Sequence, residues 1–346
     1  MLLIILGYYN IIITLKEVKT MAIIKKEAYF ESSTGENSIH CNIWQDDTAE
    51  PVGIFQIAHG VSEHIGRYDD FARFLASKGY IVCGNDHLGH GLSASSLDEM
   101  GFFAEEDGDI RLVDDMHILS QIMTRRYPEL PLFLFGHSMG SLCARVYASN
   151  FGYELSGLIL CGTGELPASA VVLEQPLSFL CSKLGARANV PNSLFDKVSC
   201  IGIKDKKTEK DWLSRNESNV EEFLNDPLCG CEMKLGAVRD IVSLANTACS
   251  TVWATLVPTE LPILIVSGAK DPIGFNGKGV IALSDNLEEA GHKPDVIMYP
   301  GDRHEILNEE NHEKVYEDVY TWLREHNALT LLDEFAKAAE AVTEDK

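Results

Sequence analysis

Ser138 lies in the pentapeptide GHSMG, which fits the pattern G-x-S-x-G. The apolar run LFLF precedes this motif, and the residues after it continue in a helical pattern. A strand–turn–helix of this kind holds a serine on a strained turn with its hydroxyl exposed. So sharp a turn requires small residues two positions before and after the serine, where Gly136 and Gly140 stand. The pattern predicts that Ser138 is a nucleophile and that the N–H of Met139 faces a developing oxyanion.

A serine hydroxyl is a weak nucleophile, so it needs a base and a third group that orients the base. Asp271 follows the apolar run PILIVS, and His304 follows the run DVIMY. Both therefore come just after predicted strands, and the order Ser, Asp, His is that of the α/β-hydrolase fold. We predict a triad of Ser138, Asp271 and His304. Asp302 is a competing acid, but it stands too near His304 in sequence to be the expected orienter.

The second oxyanion donor should come from the loop HGVSEH, which follows the apolar run GIFQIA. Gly60 allows the backbone of this loop to approach a substrate closely, and we assign the donor to the N–H of Val61. The histidine-rich stretch DHLGHGLS, residues 86–93, could be mistaken for a metal site. Metal ligands at matching spacing are missing around it, so we expect a structural loop beneath the active site. No metal and no cofactor are predicted.

Strand and helix patterns alternate from the N-terminal part of the chain to residue 161. The runs AYFE and SIHCNIW predict an antiparallel hairpin at one edge, and the later alternation predicts a mostly parallel, doubly wound sheet. The alternation breaks over residues 164–255, which are mostly helical in pattern and show no clear strand. Strand patterns resume at residue 262.

These patterns divide the chain into an α/β core, residues 23–163 and 256–325, and an inserted helical cap, residues 164–255. A segment that leaves and rejoins the sheet at the ends of its strands should lie over Ser138. The cap is rich in apolar residues, some of which should face an acyl chain while others pack on the core. Residues 326–346 are expected to form a helical or frayed tail.

The 346-residue chain has a formal net charge of −23 and nine scattered cysteines. The charge argues against nucleic acid and anionic membranes as constitutive partners. The cysteine pattern suggests reduced thiols in a cytoplasmic protein, and the oligomeric state stays open.

Residues 1–22 are expected to be an extension outside the fold. Residues 1–15 are nearly all apolar, so a membrane anchor there is the alternative, although they are short for a span.

Five stretches together resemble the monoacylglycerol lipase and lysophospholipase branch of the α/β hydrolases: HGVSEHIGRYDDFARFLASKGY, NDHLGHGLS, GHSMGS, SGAKDPIG and YPGDRHEILNE. This branch is also known as serine aminopeptidase S33 or hydrolase 4. The resemblance covers about residues 25–325. It implies the same triad, Val61 and Met139 as oxyanion donors, and a cap over an apolar acyl pocket. Leu88 departs from the pattern, because many members carry arginine there.

Three hypotheses follow. The first is a serine esterase that cleaves monoacylglycerols, lysophospholipids or other single-chain esters, without stable membrane insertion but with transient lipid contact through the cap. The second is an aminopeptidase, whose acidic site for a free amino terminus would come from Glu217, Glu221 and Glu222. The third is a ligand-binding protein in which hydrolysis is vestigial.

Overall fold

The structure is a computed structural model that describes residues 23–165, 173–191, 196–197, 199–201, 203–204 and 206–332. The predicted extension, residues 1–22, lies outside the described residues, as do residues 166–172 of the predicted cap and residues 333–346 of the tail. Within the described part, no helix combines the length and the apolar character needed to cross a bilayer.

Eight strands form the central sheet, in the order β1-β2-β4-β3-β5-β6-β9-β10. Their bounds are β1 Ile23–Glu31, β2 Ser38–Asp46, β3 Gly53–Ala58, β4 Tyr80–Asn85, β5 Leu132–His137, β6 Gly157–Cys161, β9 Ile263–Gly268 and β10 Asp295–Tyr299. β1 and β2 form the expected antiparallel hairpin at one edge, and β2 also runs antiparallel to β4. All other neighbours are parallel. The predicted mostly parallel sheet is therefore confirmed.

Helices cover both faces of this sheet. Their bounds are α1 Asp69–Ser77, α2 Gly108–Arg126, α3 Met139–Phe151, α4 Glu174–Leu184, α5 Glu217–Asn225, α6 Leu235–Ala248, α7 Trp253–Leu256, α8 Lys278–Glu289 and α9 His312–His326. Apolar residues of α1 and α9 pack into one buried cluster, and those of α2, α3 and α8 pack into another on the opposite face. The central strands are buried on both faces, which explains why they read as continuous apolar runs.

The segment between β6 and β9 carries α4 to α7. It also contains two short strands, β7 Asn189–Val190 and β8 Met233–Lys234, which pair antiparallel in a small separate sheet. The expectation of no strand in this segment was therefore wrong, because two residues are too few to give a period in the sequence. α6 packs against α2 and α3 of the core and against α4, so it joins the insertion to the core.

Candidate active site

Ser138 connects the end of β5 to the start of α3. Its φ of 55° lies in the left-handed region that non-glycine residues rarely adopt, so the turn is strained. A Cβ atom on Gly136 would lie 2.3 Å from the carbonyl oxygen of Gly140. A Cβ atom on Gly140 would lie 2.1 Å from the carbonyl oxygen of Ala58. Both glycines therefore stand where backbone approaches backbone, as the sequence pattern requires.

Asp271 and His304 lie in the loops after β9 and β10, and both are buried. His304 Nδ1 lies 2.9 Å from Asp271 Oδ2. The second Asp271 oxygen accepts the N–H of Ile273 at 2.8 Å, so the carboxylate is fixed in orientation. Asp302, the competing acid, binds Arg215 with one oxygen and Asn311 with the other. The structure therefore brings His304 together with Asp271 and engages Asp302 elsewhere.

Two aromatic rings confine the imidazole of His304. The ring of His137 lies 4.7 Å from it between centroids, and the indole of Trp212, from the insertion, lies at 5.1 Å. The backbone of Gly162 makes room for this arrangement, since a Cβ there would lie 3.1 Å from His304 Cε1. Sequence reasoning missed both ring contacts, because neither residue is near His304 along the chain.

His137 and His304, whose rings are in contact, differ in their pKa values. Burial lowers the pKa of His304, but the Asp271 carboxylate and its hydrogen bond outweigh burial, so the pKa stands above its usual value. Burial and the neighbouring His304 lower the pKa of His137 to about 4. His137 is therefore neutral at pH 7, and His304 is the imidazole best suited to accept and hold a proton.

The loop after β3 passes close to Ser138. A Cβ on Gly60 would lie 2.7 Å from Glu63 Oε1 and 3.1 Å from the Cβ of Ser138, so a larger residue would displace the Glu63 side chain or the serine turn. The N–H of Gly60 is engaged, because it donates to Glu63 Oε1 at 2.6 Å. The N–H of Val61 makes no hydrogen bond with any residue that the structure describes. Met139 is the first residue of α3, where amides have no acceptor within the helix.

The histidine-rich loop is packed beneath this site. His59 and His87 lie 4.3 Å apart between ring centroids, His90 lies 5.3 Å from His59, and all three are buried. Asp86 accepts hydrogen bonds from His40 and from the amides of Ile65 and Leu92, each at 2.8 Å. These contacts tie the loop to β2 and to the segment that follows the Gly60 loop, which is a structural role.

One group of three potential metal ligands occurs among the described residues: His64, Asp226 and Cys229. His64 Nδ1 accepts the N–H of Gly66 at 3.2 Å, so the proton of the neutral ring must be on Nε2. That Nε2–H points to Asp226 Oδ2 at 2.8 Å. Because both ring nitrogens are engaged, this group fits a hydrogen-bonded contact between loop and insertion better than a metal site.

A strained serine at a strand–helix turn, with a buried Asp–His pair after the last two strands of a mostly parallel sheet, is typical of the α/β-hydrolase fold class. The family model described as serine aminopeptidase, S33, matches residues 49–311, and the chain belongs to this family. A monoacylglycerol lipase of Mycolicibacterium smegmatis is 29% identical over 286 residues, which is 82% of this chain and 92% of the relative. The human monoglyceride lipase is 29% identical over 301 residues, 84% of this chain and 88% of the relative.

Solved structures agree with this placement. The crystal structure of a thermostable carboxyl esterase from Bacillus coagulans superposes with a TM-score of 0.82 and 32% identity, covering 89% of this chain and all of that one. A lipase solved in an open form gives a TM-score of 0.81 at 25% identity, covering 88% of this chain and all of that one. The resemblance noted in the sequence is thereby confirmed at the level of the family.

Proposed function

We propose that this protein is a serine hydrolase that cleaves single-chain carboxylic esters of the monoacylglycerol or lysophospholipid type. The hydrogen bond between His304 and Asp271, together with the strained turn at Ser138, carries the proposal. The related lipases and the related carboxyl esterase support an ester as the substrate and make the protein a carboxylic-ester hydrolase.

In the proposed mechanism, Ser138 Oγ attacks the ester carbonyl while His304 Nε2 takes the hydroxyl proton. The resulting imidazolium is stabilised by Asp271, which also holds Nδ1–H in the required tautomer. The leaving alcohol receives the proton from His304, and the acyl group stays on Ser138. Water then repeats the attack, gives its proton to His304, and releases the carboxylic acid with the serine restored.

The amides of Val61 and Met139 are the proposed oxyanion donors. Since Glu63 already occupies the N–H of Gly60, the next amide along the loop is the one left for a substrate oxygen. Amides fixed by the fold can stabilise the developing charge without reorganising during the reaction.

The insertion supplies the proposed contact with lipid. Apolar side chains recur along α4 at helical spacing, and the helix has no buried residue. Leu173, Phe179, Leu180 and Leu184 are all exposed. The apolar content of the insertion predicts that such residues face an acyl chain or the core. An exposed apolar stripe instead favours transient contact with a lipid surface, and the strong negative charge favours a zwitterionic surface over an anionic one.

The test is the variant Ser138→Ala, assayed on p-nitrophenyl butyrate and with a fluorophosphonate probe. We expect loss of turnover and of labelling, with the wild-type protein labelled at Ser138. Labelling of another residue would remove Ser138 as the nucleophile.

A series of monoacylglycerols should then show kcat/KM rising by up to about fourfold per added methylene until the pocket is full. A flat profile between about two and twelve carbons would contradict the acyl-pocket proposal.

The family description keeps aminopeptidase activity as the second candidate. Glu221 and Glu222 line an open surface hollow of about 640 Å³ beside α5, whereas Glu217 is paired with Lys207. These carboxylates are exposed, so water screens their attraction for a substrate ammonium. Turnover of aminoacyl-naphthylamides that equals turnover of short acyl esters would reverse the ranking. A single slow turnover with a trapped acyl group would instead favour the ligand-binding hypothesis.

A further inference from the structure

A buried cluster of charge links the Gly60 loop to the loop that carries His304. Arg67 donates to Glu63 Oε2 at 2.9 Å and to both oxygens of Glu305 at 2.6 and 2.8 Å. The side chains of Arg67, Glu63 and Glu305 are only 9%, 5% and 4% exposed. The bidentate geometry fixes the guanidinium plane, and burial makes each of these bonds stronger than it would be in water.

One end of this cluster reaches the proposed oxyanion hole. The second oxygen of Glu63 accepts the N–H of Gly60 at 2.6 Å and the hydroxyl of Tyr68 at 2.9 Å. The Gly60 N–H is thus held by Glu63, and the Gly60 carbonyl, which belongs to the same peptide as the Val61 N–H, lies 2.7 Å from His59 Nδ1. A continuous chain of hydrogen bonds therefore runs from the Gly60 amide to Glu305, the residue after His304.

The insertion completes the cluster. Asn219 of α5 accepts from Arg67 at 2.9 Å and donates to Glu305 at 2.7 Å. The ring of Phe223, also on α5, lies 5.0 Å from the guanidinium carbon of Arg67. The backbone N–H of Glu305 donates to the carbonyl of Leu213, again in the insertion, at 2.7 Å. With α5 in place, both terminal nitrogens of Arg67 and both carboxylates beside it are hydrogen-bonded.

We propose that Glu305 is a positioning residue. Through Arg67 and Glu63 it fixes the Gly60 loop so that the Val61 amide faces the oxyanion. Because Asn219 binds both Arg67 and Glu305, the position of the loop also depends on α5 packing against this cluster. The inference rests on the proposed ester hydrolysis and deepens it. Glu305 touches no substrate atom in this scheme. Its effect is on transition-state geometry, so it should appear in kcat and much less in KM.

The first test is Glu305→Gln, which keeps the size of the side chain and removes its charge. We expect kcat on p-nitrophenyl butyrate to fall about 10- to 100-fold, since a misplaced oxyanion donor costs rates of that order. KM should change by less than about threefold. Titration with a fluorophosphonate counts the competent sites, and thermal unfolding shows whether the variant is folded.

The second readout is the pH profile of kcat/KM. The charged or titratable groups that face His304 are Asp271 from the β9 loop, His137 from β5, Glu305 from its own loop and Glu63 from the Gly60 loop. Removing the negative charge of Glu305 lowers the pKa of the imidazole, so the acid limb should move to lower pH. This shift reports the charge of Glu305 beside His304, whereas the split between kcat and KM reports the position of the Gly60 loop.

Glu309→Gln is the matched control, because Glu309 is a buried carboxylate in the same loop that binds the amides of Arg303 and Arg215 instead. It should leave the acid limb at the wild-type position.

Asn219→Ala removes no charge, so it keeps the proposal testable if Glu305→Gln does not fold. We expect it to lower kcat several-fold without moving the acid limb. In the double variant, the two losses should be less than additive.

Three results would contradict parts of this inference. A folded Glu305→Gln variant with kcat within about twofold of wild type, or with the loss confined to KM, overturns the inference. Fully additive losses from Glu305 and Asn219 overturn the dependence on α5. None of these results affects the proposed function, which is tested separately by labelling and turnover of the wild-type protein and of Ser138→Ala.

Discussion

Gly140 offers a sharp test of how closely the serine turn must fit. A Cβ at this position would lie 2.1 Å from the carbonyl oxygen of Ala58 and 2.6 Å from that of His59. Carbon–oxygen contacts are normally about 3.3 Å or longer, so Gly140→Ala must separate α3 from the end of β3 by about 1 Å. β3 leads directly into the Gly60 loop, so the displacement moves Val61 relative to Ser138. A misplacement of about 1 Å costs on the order of 100-fold in rate, which is about 2.7 kcal/mol of transition-state stabilisation.

The assay is kcat/KM for p-nitrophenyl butyrate, corrected for competent sites by fluorophosphonate titration, with folding checked by circular dichroism. Gly236→Ala is the matched control, because it also adds a methyl group to a helical glycine. Its Cβ would lie 3.0 Å from the side-chain carbon of Ala186 and 3.2 Å from the carbonyl oxygen of that residue, so a shift of a few tenths of an ångström suffices. We expect near wild-type activity there. A folded Gly140→Ala variant within about threefold of wild type would refute the reasoning.

Four further predictions concern the triad, the buried Arg145 and the exposed stripe of α4. Asp271→Asn should lower kcat by about 10⁴-fold, because an amide favours the wrong tautomer of His304. In the wild-type protein, the raised pKa of His304 should place the acid limb of kcat/KM above about pH 6.5, with activity lost as the pH falls through it. Arg145 is fully buried and pairs with Glu165, so Arg145→Met should cost about 3–5 kcal/mol in urea unfolding, much of it recovered by adding Glu165→Gln. Phe179→Ser with Leu184→Ser should weaken binding to phosphatidylcholine vesicles and leave hydrolysis of soluble short esters unchanged, whereas unaltered vesicle binding would exclude α4 as the lipid contact.

The sheet and the positions of the candidate triad could be predicted from sequence for one physical reason. Parallel strands buried on both faces read as continuous apolar runs, and their carboxyl ends meet at one edge of the sheet. Asp271 and His304 could therefore be paired from their places after β9 and β10, although 33 positions separate them. The sharp turn at Ser138 requires small residues two positions before and after the serine, and the two glycines there are visible in the sequence.

The surroundings of the triad could not be predicted in this way. Glu63 and Arg67 are four residues apart and resemble an ordinary helical ion pair on a solvated face. The contact that changes this interpretation is with Glu305, which is 238 positions away along the chain. Nothing in local periodicity specifies a contact between two loops and an inserted helix. The one indication of this contact in the sequence was that a charged side chain stands between residues that the fold buries.

The insertion brings two kinds of surface to the proposed site, and their difference bears on how the enzyme would meet a lipid. α4 presents an exposed apolar stripe, whereas α5 presents Asn219 and Phe223 to a buried ionic cluster. α6 follows both helices in sequence and attaches α4 to the core, because it packs against α4 and against α2 and α3. The apolar stripe and the side chains that contact the Arg67 cluster therefore lie on different helices. α4 can therefore contact a bilayer without exposing the Arg67 cluster to water. A lipid surface would then change access to Ser138 while the oxyanion geometry held by Glu305 stays intact, so vesicle-borne and soluble substrates should differ in KM more than in kcat.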